Sequence, residues 1–489
     1  MSELVQQIDA VMHRSRAAFE AGRTCSGNQR ADFLDAIASG IEAVGPALLE
    51  SAMRETNLPE ARLAGERART CNQLRQFSAM LREGSWVEAR IDTALPDRQP
   101  LAKPDIRKMM VPLGPVVVFG ASNFPLAYST AGVDTASALA AGCSVVLKGH
   151  PAHPVTSKMV AEVIETAGRS SGMPDGFFIH VEAPGFEVGK LLVQHPLTKA
   201  VGFTGSFSGG KALYDYAQER SEPIPVFSEM GSINPVYLLP AALASRSEQI
   251  ADQYAASITQ SVGQFCTNPG LLLGLRDARL EAFSSQLAAR LQKIAPAPML
   301  HPGISKSFYH KRAEALKQSG VTMLATAVAD EPEFQGVPTL ASVDGATFAS
   351  NPLLSEEVFG PYSLLVQAGS IDELTRIASS MPGQLTSTII GDEADLKQHA
   401  DFIRLVADKA GRVIINGVPT GVEVCPSMHH GGPFPATTDA RFSSVGIDAV
   451  KRFVRPLSFQ GFPQSLLPAV LRDENPMGIW RLFNNEWKK

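Results

Sequence analysis

The chain has 489 residues, a length that predicts two or three domains, each able to bury a hydrophobic core. Hydrophobic residues make up 44% and charged residues 19%, as in ordinary globular proteins. The formal net charge of -5 argues against nucleic acid or a membrane surface as a partner. The sequence has no run of about 18 apolar residues, so we expect no membrane-spanning segment. Five widely spaced cysteines without a Cys-x-x-Cys pair indicate a reducing compartment, by default the cytoplasm.

Residues 1 to about 85 are predicted to be helical, because apolar residues recur there at helical spacing. A hairpin is predicted around residues 91–106. Strands and helices then alternate. The predicted strands are 111–119, 144–148, 177–181, 200–203 and 225–229, and the helices are 130–141, 154–167, 188–194 and 209–218. This alternation predicts a doubly wound parallel sheet, which binds ligands at the carboxyl ends of its strands.

A second α/β region is predicted from about residue 234 to 426, with helices between its strands. The strands predicted there are 236–239, 271–275, 321–324, 387–390 and 412–416. A further strand is predicted at 452–459. The aromatic tail after it, with Trp480 and Trp487, has little local core to join. We expect this tail to pack on another surface, such as a second subunit.

Cys266 lies in a short loop bounded by glycine and proline, Gly263 to Gly270, between a polar helical run and an apolar strand. A thiolate placed there could face a cleft and act as a nucleophile. Glu229 ends an earlier apolar strand and could supply the base that hydrolyses an acyl-thioester. Taken alone, the same residues also fit a buried structural cysteine and a surface glutamate.

Six short segments match, in order, the motifs of one enzyme superfamily. They are Gly120-Ala121-Ser122-Asn123-Phe124-Pro125, Val146-Leu147-Lys148, Phe203-Thr204-Gly205-Ser206, Glu229-Met230-Gly231, Gln264-Phe265-Cys266 and Glu356-Glu357-Val358-Phe359-Gly360-Pro361. With these segments the chain resembles the aldehyde dehydrogenase superfamily over nearly its whole length. The resemblance implies an α/β fold with two doubly wound domains, one for the cofactor and one for catalysis, plus a small β element for oligomerisation.

The resemblance implies three catalytic residues. Cys266 would attack the aldehyde, and Glu229 would activate the water that releases the acid. The Asn123 amide, with the backbone N–H of Cys266, would stabilise the oxyanion. Asn123 could instead, or also, cap a helix.

The resemblance also implies a dinucleotide cofactor. Lys148 would contact the adenosine ribose, and the helix opened by Gly205, Ser206 and Gly210 would meet the pyrophosphate. Glu357 would hold the nicotinamide ribose, with Phe359 near the ring.

The cofactor loop departs from the pattern of NAD-preferring members, which commonly place a glutamate three residues after the strand-end lysine. This chain has Pro151 there. Without that carboxylate, Lys148 and His150 could pair with a 2′-phosphate, which favours NADP over NAD as the cofactor. The pair His150 and His153 lacks further ligands, so no metal is expected.

The substrate mouth is unusual, because the histidine pair in Met428-His429-His430 stands where an aromatic residue is common in the family. With the segments around Asn123 and Lys148, this version resembles the 2,5-dioxopentanoate (α-ketoglutarate semialdehyde) dehydrogenase group. That group implies oxidation of a small aldehyde, 2,5-dioxopentanoate, to 2-oxoglutarate. The candidate substrate contacts are Phe124, Ser129, Thr267, Asn268, His429 and His430.

Four alternatives stay open. The nearest is a medium- or long-chain fatty aldehyde dehydrogenase, for which Phe124, Leu126, Tyr128 and Phe265 could line an apolar tunnel. A CoA-acylating enzyme typically lacks the glutamate, so Glu229 speaks against it. An acyl-phosphate reductase and a non-enzymatic scaffold share the architecture.

The resemblance finally suggests a division of the chain. The dinucleotide-binding domain would comprise residues 1–90 and 107–229, and the catalytic domain residues 230–445. Residues 91–106 and 446–489 would form the oligomerisation elements, which predicts a homodimer or a homotetramer.

Overall fold

The computed structural model describes residues 3–183, 185–331 and 334–489. Four helices open the chain and confirm the predicted helical region: α1 (Glu3–Gly22), α2 (Gly27–Val44), α3 (Pro46–Thr56) and α4 (Glu60–Glu83). The Ser26 side chain caps α2 by accepting from the Gln29 N–H. Gly45, at φ 67°, ends α2, and Pro46 opens α3. These signals keep the helices separate.

A hairpin follows, formed by β1 (Arg90–Asp92) and the antiparallel β2 (Ile106–Pro112). The chain then breaks at Gly114, whose φ is 139°, before β3 (Val116–Phe119) begins. The predicted single strand 111–119 is therefore wrong. Its two halves belong to different sheets, and the glycine with Pro115 after it marks the separation.

The first parallel sheet matches the predicted doubly wound arrangement, with strand order β5-β4-β3-β6-β7. Its elements after β3 are α5 (Val133–Ala141), β4 (Val145–Lys148), α6 (Pro154–Ser170), β5 (Phe178–Val181), α7 (Phe186–Gln194), β6 (Ala200–Thr204), α8 (Phe207–Gln218) and β7 (Val226–Glu229). Helices shield both faces, so the strands are almost wholly buried. Lys148 and Glu229 both end strands at the carboxyl edge, where ligands bind in such sheets.

The second sheet has seven strands in the order β11-β13-β14-β9-β8-β15-β16, and β11 alone runs antiparallel to its neighbour among the strands described. Its elements, with a two-stranded side ribbon of β10 and β12, are β8 (Val236–Leu238), α9 (Pro240–Thr259), β9 (Leu271–Leu275), α10 (Ala278–Leu291), β10 (Ala297–Pro298), α11 (Pro302–Leu316), β11 (Thr322–Thr326), β12 (Gln335–Gly336), β13 (Thr339–Asp344), α12 (Gly345–Ser350), β14 (Tyr362–Ala368), α13 (Ile371–Ser380), β15 (Gln384–Ile390), α14 (Glu393–Gln398), α15 (Ala400–Ala407) and β16 (Ala410–Ile415). The sequence prediction missed β13 and β14, two interior strands. Small and polar residues weaken the apolar pattern of β13, although the strand is buried.

A third sheet, in the order β17-β2-β1-β18-β19, combines the hairpin with the end of the chain: β17 (Val454–Gln460), β18 (Arg481–Phe483) and β19 (Glu486–Lys488). β2 pairs with β17 along its whole length. Residue 107, at which the predicted dinucleotide-binding domain resumes, therefore lies inside a strand of this sheet. Among the described helices, none is long and apolar enough to cross a membrane.

Candidate active site

Cys266 stands in a tightly wound loop between α9 and β9. Three residues early in this loop, Ser261, Val262 and Gly263, all have positive φ (47°, 58° and 65°). Such a backbone conformation is unusual for the β-branched Val262. A Cβ on Gly263 would lie 2.3 Å from the backbone of Gly360, so a larger residue would push the two segments apart. The thiol loop is thereby held against the segment that carries Glu357.

A buried histidine joins the thiol to the carboxylate. The Nε2 atom of His430 lies 3.0 Å from Glu229 Oε1 and 3.6 Å from Cys266 Sγ. His430 is 1% exposed, so solvent does not separate these atoms. The Ser444 hydroxyl donates to the other carboxylate oxygen of Glu229. The sequence prediction placed His430 at the substrate mouth, and the structure instead places it between nucleophile and base.

The electrostatics of this cluster set its resting charge. Burial, and then the charge and hydrogen bond of Glu229, raise the pKa of the Cys266 thiol well above its ordinary value. Burial opposes ionisation of Glu229, but His430, Ser444 and Cys266 outweigh it and lower the pKa of that carboxyl. At neutral pH the resting site therefore holds a carboxylate beside a protonated thiol. The thiol must lose its proton before it attacks.

The donor atoms of Glu229, Cys266 and His430 all lie within 4.8 Å of one another. Sulfur, imidazole nitrogen and carboxylate oxygen are ligand types that zinc accepts. The same three atoms are also a nucleophile, a bridging imidazole and a base, which is the arrangement of thiol catalysis. The expectation of no metal stays a prediction.

Asn234, which the sequence prediction missed, positions the thiol loop. Its backbone has φ 49°, and its side-chain amide donates to the carbonyls of Cys266 and Asn268, each at 2.9 Å. Gln384 holds this residue in turn, because its side-chain oxygen accepts from the Asn234 N–H at 3.2 Å. The only sequence signal was an Asn-Pro pair between strands.

Asn123 follows β3 and contacts the same loop. Its Nδ2 donates to the carbonyl of Gln264 at 3.2 Å, two residues before the thiol. The alternative role as a helix cap is wrong, since α5 begins at Val133 with Gly132 as its N-cap. The amide therefore lies beside the thiol loop, within reach of an oxygen that develops there.

Around the end of β4, the predicted adenosine contacts form a half-buried group. Burial lowers the pKa of Lys148. Burial, with His153, His301 and Lys148, lowers the pKa of His150 to about 3, so this ring is neutral at pH 7. The His150 Nδ1 accepts from the Ala152 N–H at 3.1 Å, which leaves Nε2–H as a donor. The charge predicted to pair with a 2′-phosphate therefore comes from Lys148 alone.

The predicted pyrophosphate site is the N-terminus of α8. Ser206 caps this helix by accepting from the Gly209 N–H at 3.2 Å. Phe207 and Ser208, at the start of the helix, are exposed, and its first turn carries no acidic residue. A Cβ on Gly210 would lie 2.7 Å from Met230, so the glycine permits close packing against β7. Gly205 precedes the cap and is exposed. An exposed helix N-terminus of this kind fits an anion.

Glu357 and Phe359 line one small cavity next to the thiol loop, together with Ser232 and Phe265. Burial raises the pKa of Glu357 to about 7. Its carboxylate lies over Gly231, where a Cβ would come within 2.4 Å of it. The residues predicted to hold the nicotinamide ribose thus share one wall with the catalytic loop.

The predicted substrate residues divide into two groups. Phe124 packs edge-on against Phe265, with ring centroids 5.4 Å apart, and lines the approach to the thiol. Half-buried His429 and buried Thr267 flank the catalytic residues in sequence. Ser129 instead packs against Gly120, and its buried hydroxyl has no partner among the described residues. The Asn268 amide donates to the Gly360 carbonyl at 3.1 Å, which ties the thiol loop to the segment that carries Glu357.

The exposed helix N-terminus at the edge of the parallel sheet fits a dinucleotide cofactor. The thiol, the carboxylate and the amide beside it fit catalysis through a covalent thiol adduct. Together these features define the class of NAD(P)-dependent enzymes that use a thiol nucleophile. The chain belongs to the aldehyde dehydrogenase family, whose model matches residues 3–440. The predicted superfamily is thereby confirmed.

Two relatives resemble the chain along nearly its whole length. It is 47% identical over 481 residues to the alpha-ketoglutaric semialdehyde dehydrogenase of Acinetobacter baylyi, covering 98% of this chain and 91% of that protein. It is 47% identical over 475 residues to alpha-ketoglutaric semialdehyde dehydrogenase 2 of Azospirillum brasilense, covering 97% and 90%. The solved structure of betaine aldehyde dehydrogenase from Staphylococcus aureus has a TM-score of 0.79 at 21% identity, over 93% of this chain and 88% of that one. This last likeness confirms the fold.

Proposed function

We propose that this enzyme oxidises 2,5-dioxopentanoate to 2-oxoglutarate. The observation that best supports aldehyde oxidation is the contact of His430 with both Cys266 and Glu229. These contacts bring a nucleophile and a base to the same imidazole. The choice of substrate is supported by the two relatives named for this semialdehyde at 47% identity. The same comparisons do not favour a fatty aldehyde.

Each residue of the cluster has a separate task. The Cys266 thiol passes its proton to His430, which leaves Glu229 unprotonated for the later step, and its sulfur adds to the aldehyde carbon. The Asn123 amide and the Cys266 N–H stabilise the oxygen that becomes negative. Loss of one such donor lowers the rate by roughly 10²–10³-fold. The proposed cofactor, which Lys148, Ser206 and Glu357 would hold, would supply the acceptor for the hydride that the substrate loses. Glu229 then takes a proton from water, and the resulting hydroxide releases the acid from the sulfur.

The substrate proposal predicts a strong preference for the keto semialdehyde over an alkanal. We expect kcat/KM for 2,5-dioxopentanoate to exceed that for octanal by about 10³-fold or more, because polar groups built for one substrate stay unpaired with an apolar one. Steady-state rates of both aldehydes at saturating NADP⁺ measure the ratio. A ratio below one would show that the substrate is a fatty aldehyde. The proposed roles of Cys266 and Glu229 would not be affected.

We also propose NADP⁺ as the preferred cofactor, on the ground that Pro151 stands where a carboxylate would repel a 2′-phosphate. Lys148 and the neutral His150 supply a charge and a donor. Pro151→Glu is expected to lower kcat/KM for NADP⁺ by about tenfold or more, since it adds a like charge beside the phosphate.

Pro151→Gln is the matched control, because it perturbs the loop equally without the charge. It should keep most of the NADP⁺ activity. Equal losses in the two variants, or a wild-type preference for NAD⁺, would contradict the cofactor proposal.

We propose a homodimer or homotetramer assembled through the third sheet. Its outer strand β19 leaves Trp487 65% exposed, and Trp480 is 48% exposed just before β18. Large exposed aromatic side chains on a sheet edge are typical of an interface. We also propose the division into a cofactor domain and a catalytic domain that the family resemblance implies. The scattered cysteines support the proposal of a cytoplasmic location.

A further inference from the structure

Among the residues that the structure describes, two arginines that interact electrostatically with Cys266 form no ion pair with a carboxylate. Arg69, on α4, donates from Nη2 to the Tyr128 hydroxyl at 3.1 Å, and its buried Nε has no acceptor among the described residues. Arg412, on β16, donates to the carbonyls of Pro419 at 2.7 Å and Gly421 at 3.2 Å. Its Nε is also buried and has no acceptor among the described residues. Both side chains are half-buried, and a half-buried cation without a counter-charge favours an anionic ligand.

A third arginine shows the contrast. Arg62 lies two turns before Arg69 on the same helix, with its guanidinium 4.3 Å from the centre of the Phe124 ring. It forms an ion pair with Glu66, whose side chain is 1% exposed and also accepts from the Leu126 N–H. The charge of Arg62 is therefore neutralised within the protein. The charges of Arg69 and Arg412 are not neutralised by any described carboxylate.

The unpaired arginines are close to the reacting atom. The guanidinium of Arg69 is 5.4 Å from the centre of the Tyr128 ring, and that ring is 6.3 Å from the imidazole of His430. His430 in turn contacts Cys266 Sγ at 3.6 Å. Burial and Glu229 raise the pKa of Cys266, and the Arg69 charge opposes them, as expected for a cation on this side of the thiol.

The wall around Arg69 presents donors. Gln73 follows Arg69 by one helical turn, is 5% exposed, and its Nε2 has no acceptor within the described ranges. Gln76, on the same face, donates to the Val424 carbonyl at 3.0 Å. This bond ties α4 to the loop that Arg412 anchors. Arg69 donates to Tyr128, and Arg412 lies close enough to Tyr128 and Cys266 to interact electrostatically with both, so the two guanidiniums border the same side of the active site.

We propose that Arg69 and Arg412, with the Gln73 amide, bind the carboxylate end of the substrate while its aldehyde end meets Cys266. The inference rests on the proposed function and identifies the residues that select its substrate. The keto-acid end of 2,5-dioxopentanoate has a carboxylate and an adjacent carbonyl, which only accept hydrogen bonds. Three carbons separate the carboxylate from the aldehyde carbon, so the anion lies beyond the first contacts of the thiol. A planar guanidinium binds a carboxylate through two hydrogen bonds.

The test compares charged and uncharged aldehydes of the same length. In Arg69→Met, we expect kcat/KM for 2,5-dioxopentanoate to fall about 10- to 100-fold, mainly through KM, because a charged hydrogen bond is lost. The rate with pentanal should change less than about threefold. Arg75→Met is the control, since Arg75 is on the same helix but forms an exposed pair with Glu42 at 2.7 Å. It should leave both substrates unaffected.

Arg412→Met is the second variant and should shift the ratio of the two substrates in the same direction. Thermal melting of each variant checks that it is folded. The substrate ratio is then interpreted for the variants that melt like the wild type. An equal loss with both aldehydes would overturn the proposal, since Arg69 would then act on the thiol and not on the carboxylate. A wild-type enzyme that prefers pentanal would contradict the proposed function itself. A high wild-type ratio left unchanged by both substitutions would contradict the subsite alone.

Discussion

Replacing Cys266 with alanine is expected to reduce aldehyde oxidation by about 10⁴-fold or more, while cofactor binding persists. The thiol lies 3.6 Å from His430 and is the nucleophile on which the covalent step depends. The residues proposed to bind the dinucleotide, Lys148 and Ser206, lie at the edge of the first parallel sheet and do not need the sulfur. Initial rates at 340 nm and a titration of NADP⁺ by calorimetry measure the two effects.

Cys425→Ala is the matched control, because Cys425 is also a partly exposed free thiol and lies outside the cluster. It should retain activity. Turnover in Cys266→Ala within tenfold of the wild type would refute the assignment of the nucleophile. Loss of NADP⁺ binding would show that the substitution damages the fold.

Replacing Glu229 with glutamine is expected to preserve one fast turnover and to slow the steady state by about 10²–10⁴-fold. His430 still contacts the thiol in this variant, so the acyl-thioester can form. The carboxylate that takes a proton from water is gone, so hydrolysis of the thioester limits the rate. Stopped-flow absorbance at 340 nm should show a burst of about one equivalent of reduced cofactor per subunit, followed by a slow phase.

Glu222→Gln provides the control for this substitution, because Glu222 is an exposed partner of Lys199 at 3.0 Å. It should show the wild-type steady state. A Glu229→Gln variant with neither burst nor steady turnover would assign Glu229 to the attack of the thiol. A wild-type steady state would remove Glu229 from the reaction.

Most of the fold could be predicted from local signals. The buried strands of the first sheet are rich in valine, and helices of matching length separate them, which is the pattern of a parallel sheet. The missed strand β13 carries small and polar residues, so burial between neighbours decides its conformation. The break at Gly114 was missed because the apolar run continues through it, although the chain changes sheets there.

The catalytic residues were predictable because each lies in a short motif at a strand end or loop. The role of His430 was not, since its contact with Glu229 spans 201 residues of sequence and depends on how the last segment folds back onto β7. Arg69 gave no signal at all, because an arginine on a polar helix is ordinarily solvated. Its isolation from carboxylates is visible only once α4 is packed against Tyr128.

The central claim is that Cys266 carries the acyl group and Glu229 is needed to release it. The direct measurement mixes Glu229→Gln with NADP⁺ and 2,5-dioxopentanoate, quenches with acid after the burst, and identifies the modified peptide by mass spectrometry. We predict a thioester of 2-oxoglutarate on the peptide containing Cys266, absent when Cys266 is also replaced by alanine. A full burst with Cys266 unmodified, or an acyl group on another residue, would contradict the account.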